Sequence, residues 1–273
     1  MIVSSARDTN GGYPGGLRAF DLDGNPQGFF GRDMRIADPR GLRVDGRRQL
    51  LYVNSGTDHV LAVGATGRIV YDSGPIPGLD PGGGNWGPND RYYVGLRRQR
   101  TIVSFDRMLN GPPQPALPPA AVPFPRGFAF ASDGRLFLSS GIGPSGQGDN
   151  TICVFGTDGE LLSARFIEDP EISPLDLAIA PTGNVVVSSE CPFGAADAVC
   201  SVREYDIDTG ELVRVFKADD GFRSPRGLRF GPDGNLYCVS RDAVVAFDFK
   251  EGDYIGSLVR LQGLNGQALE FFA

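Results

Sequence analysis

The most constraining feature of this chain is a pattern that recurs roughly every 40–50 residues. It consists of a proline, a short apolar strand, a turn rich in Gly, Asp and Asn, and two further strands. The clearest copy spans residues 224–248, and four other copies begin at Pro39, Pro81, Pro125 and Pro174. Such a repeat predicts stacked supersecondary units, because a single unit cannot bury its own apolar face.

The sixth copy is divided between the two ends of the chain. Residues 266–271 match the first strand of the repeat, and residues 1–5 match the end of its second strand. We therefore predict an all-β fold, a six-bladed β-propeller with four-stranded antiparallel blades. The C-terminal strand is expected to join the N-terminal blade, because closing the ring in this way removes an exposed sheet edge.

The spacing of the repeats predicts a single propeller domain over residues 1–273. The predicted blades are 266–273 with 1–31, then 39–73, 81–110, 125–167, 174–217 and 225–260. Long loops at 6–15, 141–150 and 190–200 should decorate one common face. That face is the candidate working surface, because function concentrates on loops held by a rigid scaffold.

Charge and hydropathy argue against several partners. A net charge of −7 disfavours binding to nucleic-acid backbones, and no run of 18 apolar residues is present to span a membrane. Met1 directly precedes a strand, which leaves no room for a signal peptide. We expect a soluble, cytoplasmic monomer, with a mature secreted form as the alternative.

The repeat residues resemble a known family. Three motifs follow one another in the repeat pattern and together are similar to the NHL repeat: Pro-x-Gly-Leu-x-Phe, then Asp-Gly-x-Leu-Tyr-Val-Ser, then Val-x-x-Phe-Asp. The pattern is also similar to the related propellers of streptogramin B lyases and of the senescence-marker/gluconolactonase group. This resemblance implies the fold and leaves the function open, because the same scaffold carries unrelated activities.

The residue after the repeat's proline is the most informative position for function. In gluconolactonase-like enzymes it lies at the mouth of the central channel, where Asn or Asp helps to hold a divalent cation. From blade 1 to blade 6, the matching residues here are Gln267, Arg40, Gly82, Arg126, Leu175 and Arg226. Hard dications need oxygen ligands and are repelled by guanidinium groups, so we expect no metal and no cofactor at this position.

Arg40, Arg126 and Arg226 are expected to face the axis on alternate blades. Their planar, permanently charged guanidinium groups suit a carboxylate or a phosphate. The leading hypothesis is therefore an anionic small molecule bound at an arginine-lined central mouth, with Gln267 and Asn54 as further ligand-binding candidates. Alternatively, the arginines bond blade carbonyls and local acids, or they form a surface for a protein or RNA.

A lyase or hydrolase acting at the same pocket is the alternative function. Asp176 replaces a glycine of the repeat, and Glu190 follows the second strand of the same blade, so both should share a face with Arg126 and Arg226. They form an acid/base pair if burial raises one pKa, or Asp176 simply neutralises Arg126 or Arg226. His59 is a candidate proton carrier, since streptogramin lyases use a histidine base; the other interpretation is an exposed, non-catalytic side chain.

The four cysteines fall into two pairs. Cys153 and Cys238 alternate with apolar neighbours and are expected in the core. Cys191 and Cys200 bracket one loop, where they are either free thiols or, in an oxidising compartment, a disulfide. Their spacing has no zinc-ligand partner elsewhere in the chain.

Overall fold

The computed structural model describes residues 1–5, 15–21, 25–31, 33–142, 149–190, 201–216, 225–240, 243–262 and 267–271. These residues form 24 strands in six antiparallel sheets and a short 3-10 helix, Met34–Ile36. The sheets correspond in chain order to the six predicted blades, and the fold is the six-bladed β-propeller that the repeats predict. Within the described residues, no helix has the length and apolar character needed to cross a membrane.

The chain divides into two compact units, of which the first comprises Met1–Ala121 and Leu261–Ala268. Blade 1 contains β1 (Ile2–Ser5), β2 (Gly16–Phe20) and β3 (Pro26–Phe29). Blade 2 contains β4 (Pro39–Asp45), β5 (Leu50–Ser55), β6 (His59–Val63) and β7 (Ile69–Asp72). Blade 3 contains β8 (Pro81–Trp86), β9 (Tyr92–Leu96), β10 (Thr101–Phe105) and β11 (Gln114–Pro115).

The second unit comprises Val122–Arg260 and Leu269–Ala273. Blade 4 contains β12 (Pro125–Phe130), β13 (Leu136–Ser140), β14 (Thr151–Phe155) and β15 (Leu161–Ile167). Blade 5 contains β16 (Pro174–Ile179), β17 (Val185–Ser189), β18 (Ser201–Tyr205) and β19 (Leu212–Phe216). Blade 6 contains β20 (Leu228–Phe230), β21 (Leu236–Ser240), β22 (Ala243–Phe247), β23 (Tyr254–Gln262) and β24 (Gln267–Phe271).

The predicted partner of the C-terminal strand is wrong. The strand at residues 267–271 lies beside β23 as a fifth strand of blade 6, and blade 1 has three strands. Only residues 263–266 separate β23 from β24, so a local pairing closes a short loop, whereas pairing with residues 1–5 closes almost the whole chain. The sequence pattern identified the strand but not its partner.

The apolar residues of the second and third strands form the core within each unit. One buried cluster joins blades 2 and 3 through Tyr52, Tyr92 and Phe105, and another joins blades 5 and 6 through Phe216 and Phe247. Cys153 and Cys238 are buried free thiols, as the sequence predicts, and burial raises the pKa of Cys153 to about 11. Cys191 and Cys200 lie outside the described residues.

The first strands of blades 2 to 5 share an irregularity directly after the repeat's proline. In blade 4, Pro125 pairs with Ser140 and the next pair is Phe128 with Leu138, so two residues oppose Ser139 alone. Blades 2, 3 and 5 shift register at the same place. A bulge of this kind re-aims side chains and takes backbone groups out of the ladder. The residue after the proline is therefore released from the regular alternation of the strand.

Candidate functional site

A buried polar side chain near the end of the second strand joins several blades to the next one. In each case it donates a hydrogen bond to the carbonyl of the residue after the proline of the following blade. The pairs are Asn54 Nδ2 to Gly82 at 2.8 Å, Ser139 Oγ to Leu175 at 2.8 Å and Ser188 Oγ to Arg226 at 2.5 Å. The position after the proline is thus fixed through its backbone, and its side chain is free to differ between blades.

The same serines satisfy backbone groups that the bulges release. Gly127 N donates to Ser139 Oγ at 2.9 Å, and Asp176 N donates to Ser188 Oγ at 3.0 Å. A buried N–H without a partner is costly, so these hydroxyls stabilise the bulges. The recurring Ser-Ser ending of the second strand is the sequence signal for this role.

In the first unit, Arg40 is neutralised by two aspartates. Its guanidinium pairs with Asp38 at 2.9 Å and also with Asp80, which in turn accepts a hydrogen bond from Arg97 at 2.9 Å. Asp38 and Asp80 each precede a repeat proline and adopt left-handed φ values of 50° and 42°, which aspartate tolerates better than most residues. Two arginines and two carboxylates balance, and this cluster carries no surplus charge.

The Asp80 contacts predict a pH-dependent contribution to stability. Burial raises the pKa of the Asp80 carboxyl, but the hydrogen bonds from Arg97 and Arg40 outweigh it, and the pKa lies below its ordinary value. A carboxyl with a lowered folded-state pKa stabilises the fold above about pH 4 and loses that contribution as the pH falls. Asp80→Asn should therefore reduce the free energy of unfolding by about 1–3 kcal/mol at pH 7.

Urea unfolding of both proteins between pH 7 and pH 2 tests this expectation. The difference between wild type and Asp80→Asn should shrink below about pH 4, because protonated Asp80 resembles asparagine. A difference that stays constant down to pH 2 would show that the charge of Asp80 contributes nothing to stability.

In the second unit, one carboxylate bridges two of the predicted arginines. Glu190 Oε2 accepts a hydrogen bond from Arg126 Nη1 at 2.7 Å, and Glu190 Oε1 accepts one from Arg226 Nη2 at 2.6 Å. The Glu190 side chain is 18% exposed, whereas that of Arg226 is 53% exposed. These contacts bring Glu190 together with Arg126 and Arg226, as their shared register predicted, and we call the three residues the Arg126–Glu190–Arg226 cluster.

Arg126 is packed tightly at the end of blade 4. Its Nη2 donates to the Ile142 carbonyl at 3.3 Å, and its guanidinium lies 5.4 Å from the centre of the Phe124 ring. Gly141 leaves room for the guanidinium, since a Cβ on this residue would meet Arg126 Nε. That Nε is buried and has no acceptor among the described residues, and Ser140 Oγ is likewise buried without a partner there.

Asp176 binds a different arginine from those that the sequence suggested. Its Oδ2 accepts hydrogen bonds from Leu228 N at 3.1 Å and from Arg229 Nη1 at 2.8 Å. It also lies against Gly127, whose missing side chain leaves room for it. Asp176 therefore connects blade 5 to the start of β20 in blade 6, and Arg229 balances its charge.

His59 lies in the first unit, whereas Asp176 and Glu190 lie in the second. Its Nδ1 is 2.7 Å from Asp72 Oδ1, and Asp72 Oδ2 accepts a hydrogen bond from Arg35 at 2.8 Å. The side chain is only 12% exposed, so the expectation of an exposed histidine is wrong. The imidazole is instead held against the protein by Asp72, which lies on the outermost strand of blade 2.

Asn54 and Gln267 are the other two predicted ligand-binding residues, and the structure describes the side chain of Asn54 alone. Asn54 is fully buried, and its Oδ1 accepts a hydrogen bond from the Tyr92 hydroxyl at 3.1 Å, so both ends of the amide are engaged inside the protein. Gln267 begins β24, and its side chain lies outside the described residues. Among the residues that the structure describes, no group of three or more His, Cys, Asp or Glu side chains could hold a metal ion.

Comparison with known proteins reveals similarity to solved propellers. No family model matches the chain, and no curated protein matches it. Virginiamycin B lyase from Staphylococcus aureus is 13% identical with a TM-score of 0.58, over 79% of this chain and 68% of that one. A gluconolactonase from Xanthomonas campestris is 18% identical with a TM-score of 0.62, over 80% and 75% of the two chains.

A third solved structure matches nearly the whole chain. It is a protein of unknown function from Bacteroides caccae, 12% identical with a TM-score of 0.67, over 94% of this chain and 92% of that one. The likeness is one of fold. At such identities a shared propeller scaffold does not transfer an activity, so the function has to be argued from this chain's own residues.

Proposed function

We propose that this protein binds an anionic small molecule at the Arg126–Glu190–Arg226 cluster. The observation that carries the proposal is that two guanidinium groups share one carboxylate. The cluster therefore has one positive charge that no carboxylate within it balances. Arginine is suited to such a site, because its planar fork binds a carboxylate or phosphate through two parallel hydrogen bonds.

Arg226 supplies the donors for the ligand. A guanidinium has five N–H groups, and in the described part of the chain only Nη2 of Arg226 has a protein acceptor, Glu190. Because half of this side chain is exposed, the remaining N–H groups are accessible to a bound anion. The Arg126 side chain is less exposed than that of Arg226, and it contributes its positive charge while Glu190 and the Ile142 carbonyl hold it in place.

Arg40 serves as an internal comparison. It occupies the same position of the repeat, but Asp38 and Asp80 both bind its guanidinium, so it offers no surplus charge to a ligand. We therefore assign ligand binding to Arg126 and Arg226, which narrows the set of three arginines that the repeat suggests.

The lyase or hydrolase alternative requires Asp176, Glu190 and His59 to act together. Each of these side chains has its own charged partner: Arg229 for Asp176, two arginines for Glu190, and Asp72 for His59. The arrangement supports ligand binding more directly than proton transfer, and the enzymatic role stays a prediction.

Substitution of Arg226 tests the proposal. Hydrogen bonds to charged groups contribute about 1.5–3 kcal/mol each, so Arg226→Gln should weaken anion binding by about ten- to a hundred-fold. Arg226→Lys should also weaken it, because the planar fork is lost. Arg40→Gln is the matched control, and it should leave anion binding unchanged.

The measurement is titration with acetate and with inorganic phosphate at constant ionic strength, followed by NMR. Equal affinities in wild type, Arg226→Gln and Arg40→Gln would contradict the proposal. So would a loss of binding in Arg40→Gln alone.

A further inference from the structure

We infer that Glu190 determines the charge of the ligand, so that the site selects a monoanion such as a single carboxylate over a dianion. This inference rests on the proposed function and specifies the class of ligand. It follows from the position of Glu190, whose two oxygens bind the same two guanidinium groups that would hold the anion.

Glu190 is a fixed part of the site. Its backbone N–H donates to the Ser173 carbonyl at 2.8 Å, and the preceding residue, Ser189, accepts a hydrogen bond from Ser173 N at 2.9 Å. Its side chain is mostly buried and joined to two arginines, so moving it aside breaks two ion pairs at once. An incoming anion therefore binds beside Glu190 and does not replace it.

The charge balance of the residues that the structure describes here then defines the preferred ligand. Arg126, Arg226 and Glu190 together carry a charge of +1, and the adjacent pair of Asp176 and Arg229 adds none. One carboxylate neutralises this site. A sulfate or a phosphate dianion leaves an excess negative charge close to the Glu190 carboxylate. Like charges at such short range repel strongly in a partly buried site.

Glu190→Gln should reverse the preference, because it raises the charge of the cluster to +2 and leaves an amide of nearly the same shape. Glu168→Gln is the matched control: Glu168 is an exposed acid paired with Arg165, so the substitution changes the net charge of the protein equally. We expect the affinity for sulfate relative to acetate to rise at least about tenfold in Glu190→Gln, as removal of a nearby like charge predicts, and to stay unchanged in Glu168→Gln.

The experiment is titration of wild type and both variants with acetate and with sulfate at constant ionic strength, with binding located by the NMR signals of the arginine Nε–H groups. Tighter binding of acetate than of sulfate in wild type, reversed in Glu190→Gln, supports the inference. Binding of both anions with an unchanged ratio in Glu190→Gln overturns the inference and leaves the proposed function standing. Failure of both anions to affect Arg126 and Arg226 in any of the proteins overturns the proposed function itself.

If the Glu190→Gln variant does not fold, the wild-type protein alone still tests whether the site selects a monoanion. A wild-type protein that binds sulfate at these arginines as tightly as acetate contradicts selection for a monoanion.

Discussion

Replacing Gly127 with alanine is expected to lower the free energy of unfolding by about 3 kcal/mol or more. A Cβ on Gly127 would lie 2.5 Å from Asp176 Oδ1, 2.6 Å from Asp176 Cα and 2.7 Å from the Leu175 carbonyl oxygen. Two of these three atoms belong to the backbone of β16, so the clash is not relieved by a change of rotamer. Blades 4 and 5 would have to separate at the end that positions Arg126 against Glu190.

Gly46→Ala is the control for this prediction. A Cβ on Gly46 meets no atom within 4 Å, and the residue needs no left-handed backbone. Its substitution should change stability by less than about 0.5 kcal/mol. Urea unfolding of the two variants measures the difference, and a Gly127→Ala protein as stable as Gly46→Ala would show that the blades do not approach as closely as described.

Replacing Asn54 with leucine should destabilise the first unit by about 2–4 kcal/mol. The amide of Asn54 donates to the Gly82 carbonyl and accepts from the Tyr92 hydroxyl, and all of these groups are buried. Leucine has a similar size but leaves both partners unsatisfied, and each buried unpaired group costs about 1–3 kcal/mol. Gly84 leaves room for this network, because its missing side chain would meet the Tyr92 hydroxyl.

A double-mutant cycle with Tyr92→Phe isolates the contact between Asn54 and Tyr92. Tyr92→Phe alone should cost about 1–2 kcal/mol, because it leaves Asn54 Oδ1 without a donor. The double variant should lose about 1 kcal/mol less than the sum of the single variants, since the phenylalanine has no hydroxyl to leave unpaired. Strict additivity in urea unfolding would mean that the two side chains do not interact.

Much of the fold could be predicted from the repeat, because the repeat proline, the Gly-containing turn and the strand endings specify local geometry. Gly134 and Gly234 hold the same turn in blades 4 and 6 with φ of 88° and 82°, a conformation that glycine adopts without strain. The partner of β24 could not be predicted in this way. A strand pattern specifies which face is apolar, and the choice between two sheet edges depends on the path of the connecting chain.

The candidate site could be predicted only in part. The shared register of Arg126, Arg226 and Glu190 predicted that they would lie on one face. The pairing of Asp176 with Arg229 was not foreseen, because Arg229 lies within the apolar stretch of the repeat and alternation alone assigns it no acidic partner. The bulge after the proline in blades 2 to 5 also breaks the alternation from which side-chain directions are inferred.

Anomalous diffraction from crystals of the protein with 4-bromobenzoate tests the central claim most directly. 4-Bromobenzoate is a monoanion whose aryl bromine does not alkylate the protein, and the bromine locates the bound molecule independently of any assumption about the site. The proposal predicts a bromine peak near the guanidinium of Arg226 in wild type and no such peak in Arg226→Gln. A peak near Arg40 instead, or an empty Arg126–Glu190–Arg226 cluster at saturating 4-bromobenzoate, would contradict it.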